Sequence, residues 1–438
     1  MSSGLQCRPS YMLGVLTTAY IFAYLDRQIL SLLVEPIRRD LLLTDVEIGL
    51  LQGLSFALVL AVGGLPAGRW VDRGNRTSIA AMAIAVWSIM TAACGFADSF
   101  LSLLVCRAGV ALGEAALIPA AYSLISDLFP TRRRGLAMGI YSSGAFIGAG
   151  LSLILAASAL HHLSQPGSSL TRLGTTFAWQ SVFVLVGLPG LAIALWVASL
   201  KEPARGAAES APAEVPNMND VRAYFWARRV ELLTLYFSLG LVGMQSYSYS
   251  AWGPSMLIRA FELSPAAVGL VLGPLFIGAS LAGLLVGAML GDKLVRRGLR
   301  AARPALMCVG ALGAGVFAAP LPMMTTQNAA LTFIAGTCFF STLVVANGPA
   351  ALQDITPPRM RGISSAIGVM VVTMVGMGLG PPLVGYITEN VLRDPHQLGM
   401  ALSVVSTGAL LSSAALALVA AFHYRLGPEP DLASARQG

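Results

Sequence analysis

Asp127-Leu-Phe-Pro130-Thr-Arg132-Arg-Arg134-Gly135 is written again 227 residues later, as Asp354-Ile-Thr-Pro357-Pro-Arg359-Met-Arg361-Gly362. Five positions agree, in the pattern Asp-x-x-Pro-x-Arg-x-Arg-Gly. Each copy closes one long apolar run and opens the next. Other features recur in near register. Gly144-xxx-Gly148-x-Gly150 and Gly376-x-Gly378-x-Gly380 align Gly148 and Gly150 with Gly376 and Gly378 at an offset of 228. The loop Asp72-Arg73-Gly74-Asn75-Arg76 matches Asp292-Lys293 at 220. Close helix packing explains the glycines alone, but not the shared acidic–basic loops. The pattern predicts two halves of one topology, the parallel arrangement that places a ligand site between them near the membrane midplane.

Composition fixes the surroundings of that repeat. Of 438 residues, 56% are hydrophobic and only 11% charged, against about 25% charged in a soluble domain. Such a chain has too few polar groups to cover a surface in water, so it is an integral membrane protein. Twelve apolar runs long enough to cross a bilayer lie near 10–36, 46–70, 77–97, 99–126, 134–160, 178–199, 227–258, 265–291, 303–322, 328–352, 362–388 and 397–424. The expected fold is all-α, with twelve transmembrane helices in two pseudo-symmetric six-helix bundles. Residues 1–200 form the first bundle, and 223–438 the second. The stretch 201–222, rich in Ala, Glu and Pro, is a solvated linker.

Lys and Arg set the orientation. Twenty-one of the 28 lie on the face of the termini, five on the other, and Arg27 and Arg107 within spans. Both termini are therefore expected in the cytoplasm, with the chain multi-pass in a cell inner membrane. The net charge of +7 is spread in short clusters between apolar runs, which excludes nucleic acid as a partner. The five cysteines form no CxxC pair, and the four histidines fall in loops or at a span end. No metal site, cofactor or disulfide framework is expected. Neither HExxH nor GxSxG is present, so the chain does not read as an enzyme.

Four ionisable residues lie deep in spans: Asp26 and Arg27 in the first, Arg107 and Glu114 in the fourth. Each costs roughly 3 kcal/mol at mid-helix if left unpaired, so they must pair, face water or change protonation. Arg107 and Glu114 are seven residues apart, two turns along one helix face, about 10 Å. Ala111, Ile118 and Tyr122 continue that stripe. The second half has no comparable carboxylate. Its polar feature is span 7, where Gln245, Tyr249, Trp252 and Met256 share a face, with Asn347, Met370, Met374 and Met377 nearby in the lining. The expected cavity is lopsided, with an ionic first wall and an aromatic, Met-rich second wall. It suits a ligand with a charged head and an apolar body. Any one of these aromatics or methionines taken alone reads as ordinary helix packing.

Three loops and spans then carry a resemblance to a known family. Gly68-Arg-Trp-Val-Asp72-Arg73-Gly74-Asn75-Arg76 resembles the GxxxD[RK]-type loop of the major facilitator superfamily, one residue short. Arg107-Ala-Gly-Val-Ala-Leu-Gly113-Glu114-Ala115 resembles its Arg-bearing span-4 motif. Tyr24-Leu-Asp26-Arg27-Gln28, Gly113-Glu114-Ala115 and Ser126-Asp127-Leu128-Phe129-Pro130 resemble the spinster-like branch of sphingolipid and lysolipid transporters. The resemblance implies the major facilitator fold and a secondary active transporter working by alternating access, as a monomer. Asp26 and Glu114 are the expected proton-coupling pair, and Arg27 and Arg107 the expected ion-pair or head-group ligands. The proton is the coupling ion, and the partner is a small amphiphile or lipid in the bilayer. A carrier of small organic anions such as sugar acids, a multidrug exporter, and an uncoupled scramblase or channel are the alternatives. Symport and antiport read alike. Asp72, Arg73, Asp127, Arg134, Asp292, Asp354 and Arg361 are the expected cytoplasmic gate, with Asp72–Arg134 and Asp292–Arg361 as pairs that lock it. A solvated basic loop explains the same charges.

Overall fold

The computed structural model describes residues 8–163, 177–204, 218–357 and 360–426. Most of the linker, 205–217, lies outside them, as do Cys7 and the side chains of Arg132 and Arg359. The helices are α1 (Pro9–Leu41), α2 (Asp45–Gln52), α3 (Leu54–Arg73), α4 (Arg76–Cys94), α5 (Phe100–Leu128), α6 (Thr131–Leu163), α7 (Ala178–Ala198), α8 (Met218–Ala227), α9 (Arg229–Phe261), α10 (Pro265–Arg296), α11 (Ala302–Ala318), α12 (Gln327–Ile355), α13 (Arg361–Val371), α14 (Gly380–Tyr386) and α15 (Leu398–Leu426). The caps explain several boundaries. Pro9 opens α1, where its missing N–H is not needed. Thr44 and Glu47 cap each other's backbone at the start of α2. Asn75 caps α4 and Ser99 caps α5.

All twelve predicted runs are helical. Ten helical stretches among the described residues are long and apolar enough to span a membrane. Two of these run through a break or a π-helical stretch. Asp45–Arg73 joins α2 to α3 through a break at Gly53, and Arg361–Leu392 joins α13 to α14 through a π-helical stretch at Val372–Leu379. The other two long helices are α1 and α9, of 33 residues each. They fall short of that apolar threshold because they carry Asp26-Arg27 and the Gln245–Ser250 polar run. Elsewhere the lipid-facing surface is plain. Leu101, Val105 and Leu112 of α5 are exposed on the face opposite Arg107 and Glu114.

The described residues gather into two compact units. The first takes 1–212 together with 249–277 and 381–401. The second takes 213–248, 278–380 and 402–438. Two segments of the second sequence half thus belong to the first unit: 249–277, from the end of α9 into α10, and 381–401. In the first unit, Leu16, Ile29, Phe56, Trp87 and Trp179 are fully buried. In the second, Leu235, Val242, Val344 and Leu410 are.

The repeat glycines mark where helices approach most closely. A Cβ on Gly148 of α6 would run into the Ile21 carbonyl and the Tyr24 side chain of α1. Its counterpart, Gly376, would place a Cβ 2.9 Å from the Gly243 carbonyl carbon of α9. Only a hydrogen fits at either crossing. Gly148→Leu is therefore expected to cost about 1–3 kcal/mol through overpacking. Thermal unfolding of the detergent-purified variant checks this, with a lowered Tm expected.

Candidate functional site

The first unit brings the four span charges together. Asp26, Arg107 and Glu114 are each no more than 2% exposed. Arg27 Nε donates to Glu114 Oε2 at 3.1 Å, and its Nη2 donates to the same oxygen. The Arg27 guanidinium lies 4.7 Å from the centre of the Tyr24 ring and 5.2 Å from that of Phe56. Arg107 stacks on the same Phe56, at 4.9 Å. Two arginines thus share one α3 aromatic ring as a counter-surface.

The four charges are not two equivalent pairs. Arg107 donates to backbone carbonyls of α1, at Asp26 (3.3 Å) and Arg27 (3.4 Å), rather than to a carboxylate. Asp26 Oδ2 accepts from the Thr91 hydroxyl of α4 at 3.2 Å. Asp26 Oδ1, Glu114 Oε1 and Arg107 Nε are buried without a hydrogen-bond partner. One carboxyl group is therefore gripped by an arginine and the other is held only by a neutral hydroxyl. Charged groups buried in this way cost several kcal/mol each when uncompensated. The cluster has spare acceptor atoms exactly where a proton or a ligand group would relieve that cost.

A wall of tyrosines adjoins it. Tyr20 stacks on Tyr141 at 4.4 Å and meets Tyr24 edge-on at 5.0 Å, and Tyr122 meets Tyr141 edge-on at 5.7 Å. Only Tyr122 was expected from the sequence, and it is the exposed member, at 38%. The signal for the others is the spacing Tyr20-xxx-Tyr24-xx-Arg27, one face of α1.

A second ionic cluster, unforeseen in the sequence, sits where α1 ends. Arg259 of α9 donates to Glu35 at 2.8 Å and to both oxygens of Asp45 at 2.7 and 2.8 Å. Arg38 stands 3.2 Å from Asp45. Glu389 accepts from the Val46 backbone N–H at 3.1 Å, at the N-terminus of α2. These side chains read as stray charges on the less basic face, because their partners lie more than 200 residues away.

The second wall differs from expectation. Gln245, Tyr249, Trp252 and Asn347 are at most 1% exposed and pack between helices instead of presenting an open lining. Gln245 accepts from Ser341 at 2.5 Å, and Trp252 donates to the Pro381 carbonyl at 2.9 Å. Asn347 donates to the Gly287 and Leu343 carbonyls. Each long polar side chain satisfies backbone or hydroxyl groups at a helix crossing, which is why it is buried. Met370 is 52% exposed and Met374 is half-buried.

The expected gate pairs are also rearranged. Asp72 and Arg73 are exposed to solvent, and Asp72 does not pair with Arg134. Arg134 donates to the Ser126 carbonyl, and Arg361 to the Thr356 carbonyl. Asp127 instead binds Arg76, which is 1% exposed and also holds Glu202 (2.6 Å), Ser123 and the Pro203 carbonyl. Asp292 and Asp354 both bind Arg303, at 3.0 and 2.9 Å. Residues 303 and 76 differ by 227, as do 354 and 127. The repeat therefore preserves an arginine at the start of one span tied to an aspartate at the end of another. Among the described residues no group of His, Cys, Asp or Glu is placed to hold a metal ion.

Comparison with known proteins places this geometry in a family. The model for the Major Facilitator Superfamily matches residues 16–381. An "MFS-type efflux pump" of Mycolicibacterium smegmatis is 29% identical over 421 residues, 94% of this chain and 91% of that protein. A "Hexuronate transporter" of Bacillus subtilis is 25% identical, covering 85% and 86%. A crystal structure of a bacterial homologue of the human lysosomal transporter spinster, inward-facing and unoccupied, superposes with a TM-score of 0.77 at 26% identity, covering 95% and 96%.

Arg76 and Arg73 make a matched test of the rearranged face. Arg76→Ala removes the buried cation that Asp127 and Glu202 share and is expected to cost about 1–3 kcal/mol. Arg73→Ala, at an exposed position, is expected to stay within about 0.5 kcal/mol. Parallel unfolding curves of the two variants check this.

Proposed function

The chain belongs to the major facilitator superfamily of membrane transporters, and from that premise we propose a proton-coupled carrier of an amphiphilic substrate. The observation that carries this reading is the unequal treatment of the two buried carboxyl groups. Asp26 keeps a proton, since no cation touches its oxygens. Glu114 alternates. While ionised, it holds Arg27. A proton arriving at the unpartnered Oε1 cancels the attraction and frees the guanidinium for an anionic head group. Loss of that proton restores the pair and expels the head group. The ionised Glu114 carboxylate and the substrate head group thus compete for one arginine, and the proton on Glu114 decides between them.

The two six-span halves, 1–200 and 223–438 joined by 201–222, move as the alternating bodies. Both termini face the cytoplasm, as the basic residues favour, so the Arg259 cluster lies on the outer side. The apolar part of the substrate runs along Tyr122, which retains exposed surface. The resemblance to spinster-like carriers supports a lysolipid or sphingoid phosphate. A sugar acid is the second reading, favoured by the hexuronate-transporting relative and by the two arginines, which suit a small carboxylate.

Proteoliposomes with an imposed pH gradient test the coupling. Wild-type protein is expected to accumulate a labelled lysophospholipid in proportion to the gradient. Glu114→Gln is expected to keep binding it but to lose the gradient response. Thermal-shift measurements with lysophospholipid, glucuronate and a lipophilic cation test the substrate class. Stabilisation by lysophospholipid is the expected result, and stabilisation by glucuronate alone overturns the amphiphile.

A further inference from the structure

Pro254 stands inside α9. A helical proline has no N–H, so the carbonyl four residues earlier loses its donor, and the ring pushes that carbonyl aside. The orphaned carbonyl is that of Ser250. It is not left open. Gln28 Nε2 of α1 donates to the Ser250 carbonyl at 2.5 Å, and the Ser250 hydroxyl donates back to Gln28 Oε1 at 2.5 Å. Ser31 Oγ takes a second proton from Gln28 Nε2 at 2.9 Å and itself donates to the Gln28 carbonyl at 2.8 Å. Gln28 is 9% exposed and Ser31 1%. An amide engaged in this way is fixed in orientation, and both its ends read the same α9 residue.

Gln28 immediately follows Arg27. On a helix, neighbours point about 100° apart, so Arg27 reaches α5 while Gln28 reaches α9. We propose that the Gln28–Ser250 contact is a latch that reports the state of the Arg27–Glu114 pair to the proline-broken part of α9, and so to the Arg259 closure beyond it. Gln28 and Ser31 are positioning residues. They touch neither the proton nor the substrate. The inference rests on the proposed role of Glu114 as the group that exchanges a proton. The charged and titratable groups that face Glu114 and the latch are Tyr24, Asp26 and Arg27 on α1, Arg107 on α5, Tyr141 on α6, and Tyr249 and, further along, Arg259 on α9. When Arg27 leaves Glu114, α1 shifts as a rigid rod, the two-way amide contact misaligns, and the kinked carbonyl is released. Opening at Pro254 then carries Arg259 away from Glu35 and Asp45.

Ser255, fully buried beside Pro254, is the reporter. The full chain, with its native cysteines replaced by serine and carrying Ser255→Cys, is reconstituted and labelled with a water-soluble maleimide across a pH series. Only the thiolate reacts, so each rate is divided by that of a free thiol at the same pH. The ratio is expected to rise as pH falls, and Glu114→Gln is expected to hold it high at every pH. Gln28→Ala, which removes both contacts to Ser250, is expected to raise it about tenfold at high pH, equivalent to ~1.4 kcal/mol. Adding Pro254→Ala returns a backbone donor to Ser250 and is expected to bring the rate back. A folded Gln28→Ala protein with wild-type rates, beside a fast Glu114→Gln protein, overturns the latch and leaves the proton role standing. Ratios independent of pH in both the parent and Glu114→Gln overturn the reading on which the latch rests. Should Gln28→Ala fail to fold, Gln28→Asn, too short to span both contacts, carries the same comparison.

Discussion

Four ionisable groups are buried in the first unit, and only one full ion pair forms among them. That shortage of compensation is the constraint from which the rest follows. Two arginines share one phenylalanine, one arginine leans on backbone carbonyls, and one carboxyl group has only a threonine hydroxyl. A structural salt-bridge cluster would close every bond, because an unsatisfied buried charge is expensive. This cluster keeps open acceptor atoms on both carboxyl groups. An arrangement that is incomplete in one state is suited to being completed in another, by a proton or by a ligand.

The helices that hold these groups show what the fold does to tolerate them. α1 and α9 are the least apolar of the twelve long spans, and both are shielded by close partners. α1 lies against α6 across Gly148, and α9 against the π-helical stretch across Gly376. Gly376 lies within that π-helical stretch, and there the α9 backbone at Gly243 leaves no room for a side chain. At the other level of the repeat, Arg76 and Arg303 bind the aspartates that end α5 and α12. Each ties the start of one span to the end of another.

The architecture was legible because it rests on local signals: span length, basic loops, and a repeat that the Asp-x-x-Pro-x-Arg-x-Arg-Gly motif declares outright. The charged cluster was legible for the same reason, since Asp26 and Glu114 stand out in apolar runs. What escaped depends on long-range pairing. Arg259 looks like a surface charge until Asp45 and Glu35 meet it. Arg76 is the last residue of a loop motif whose first aspartate draws the eye, yet Asp72 is in water and Arg76 is buried. Gln245, Trp252 and Asn347 looked like a cavity wall because polarity on a helix face has two causes, a ligand or a neighbouring helix. Spacing alone does not separate them. The gate pairs differ because the motifs suggest Asp72 with Arg134 and Asp292 with Arg361 across two loops, whereas the fold gives Arg76 to Asp127 and Arg303 to Asp292 and Asp354.

The claim underneath all of this is that the two buried carboxyl groups hold different protonation states in one protein. Infrared difference titration of the purified carrier reads that directly, through the carbonyl band that only a protonated carboxyl group shows. Near neutral pH the account predicts one such band that is absent from Asp26→Asn, and a second that grows in on acidification and is absent from Glu114→Gln. A spectrum with both groups ionised across the whole range, or with the two bands rising together, would contradict it.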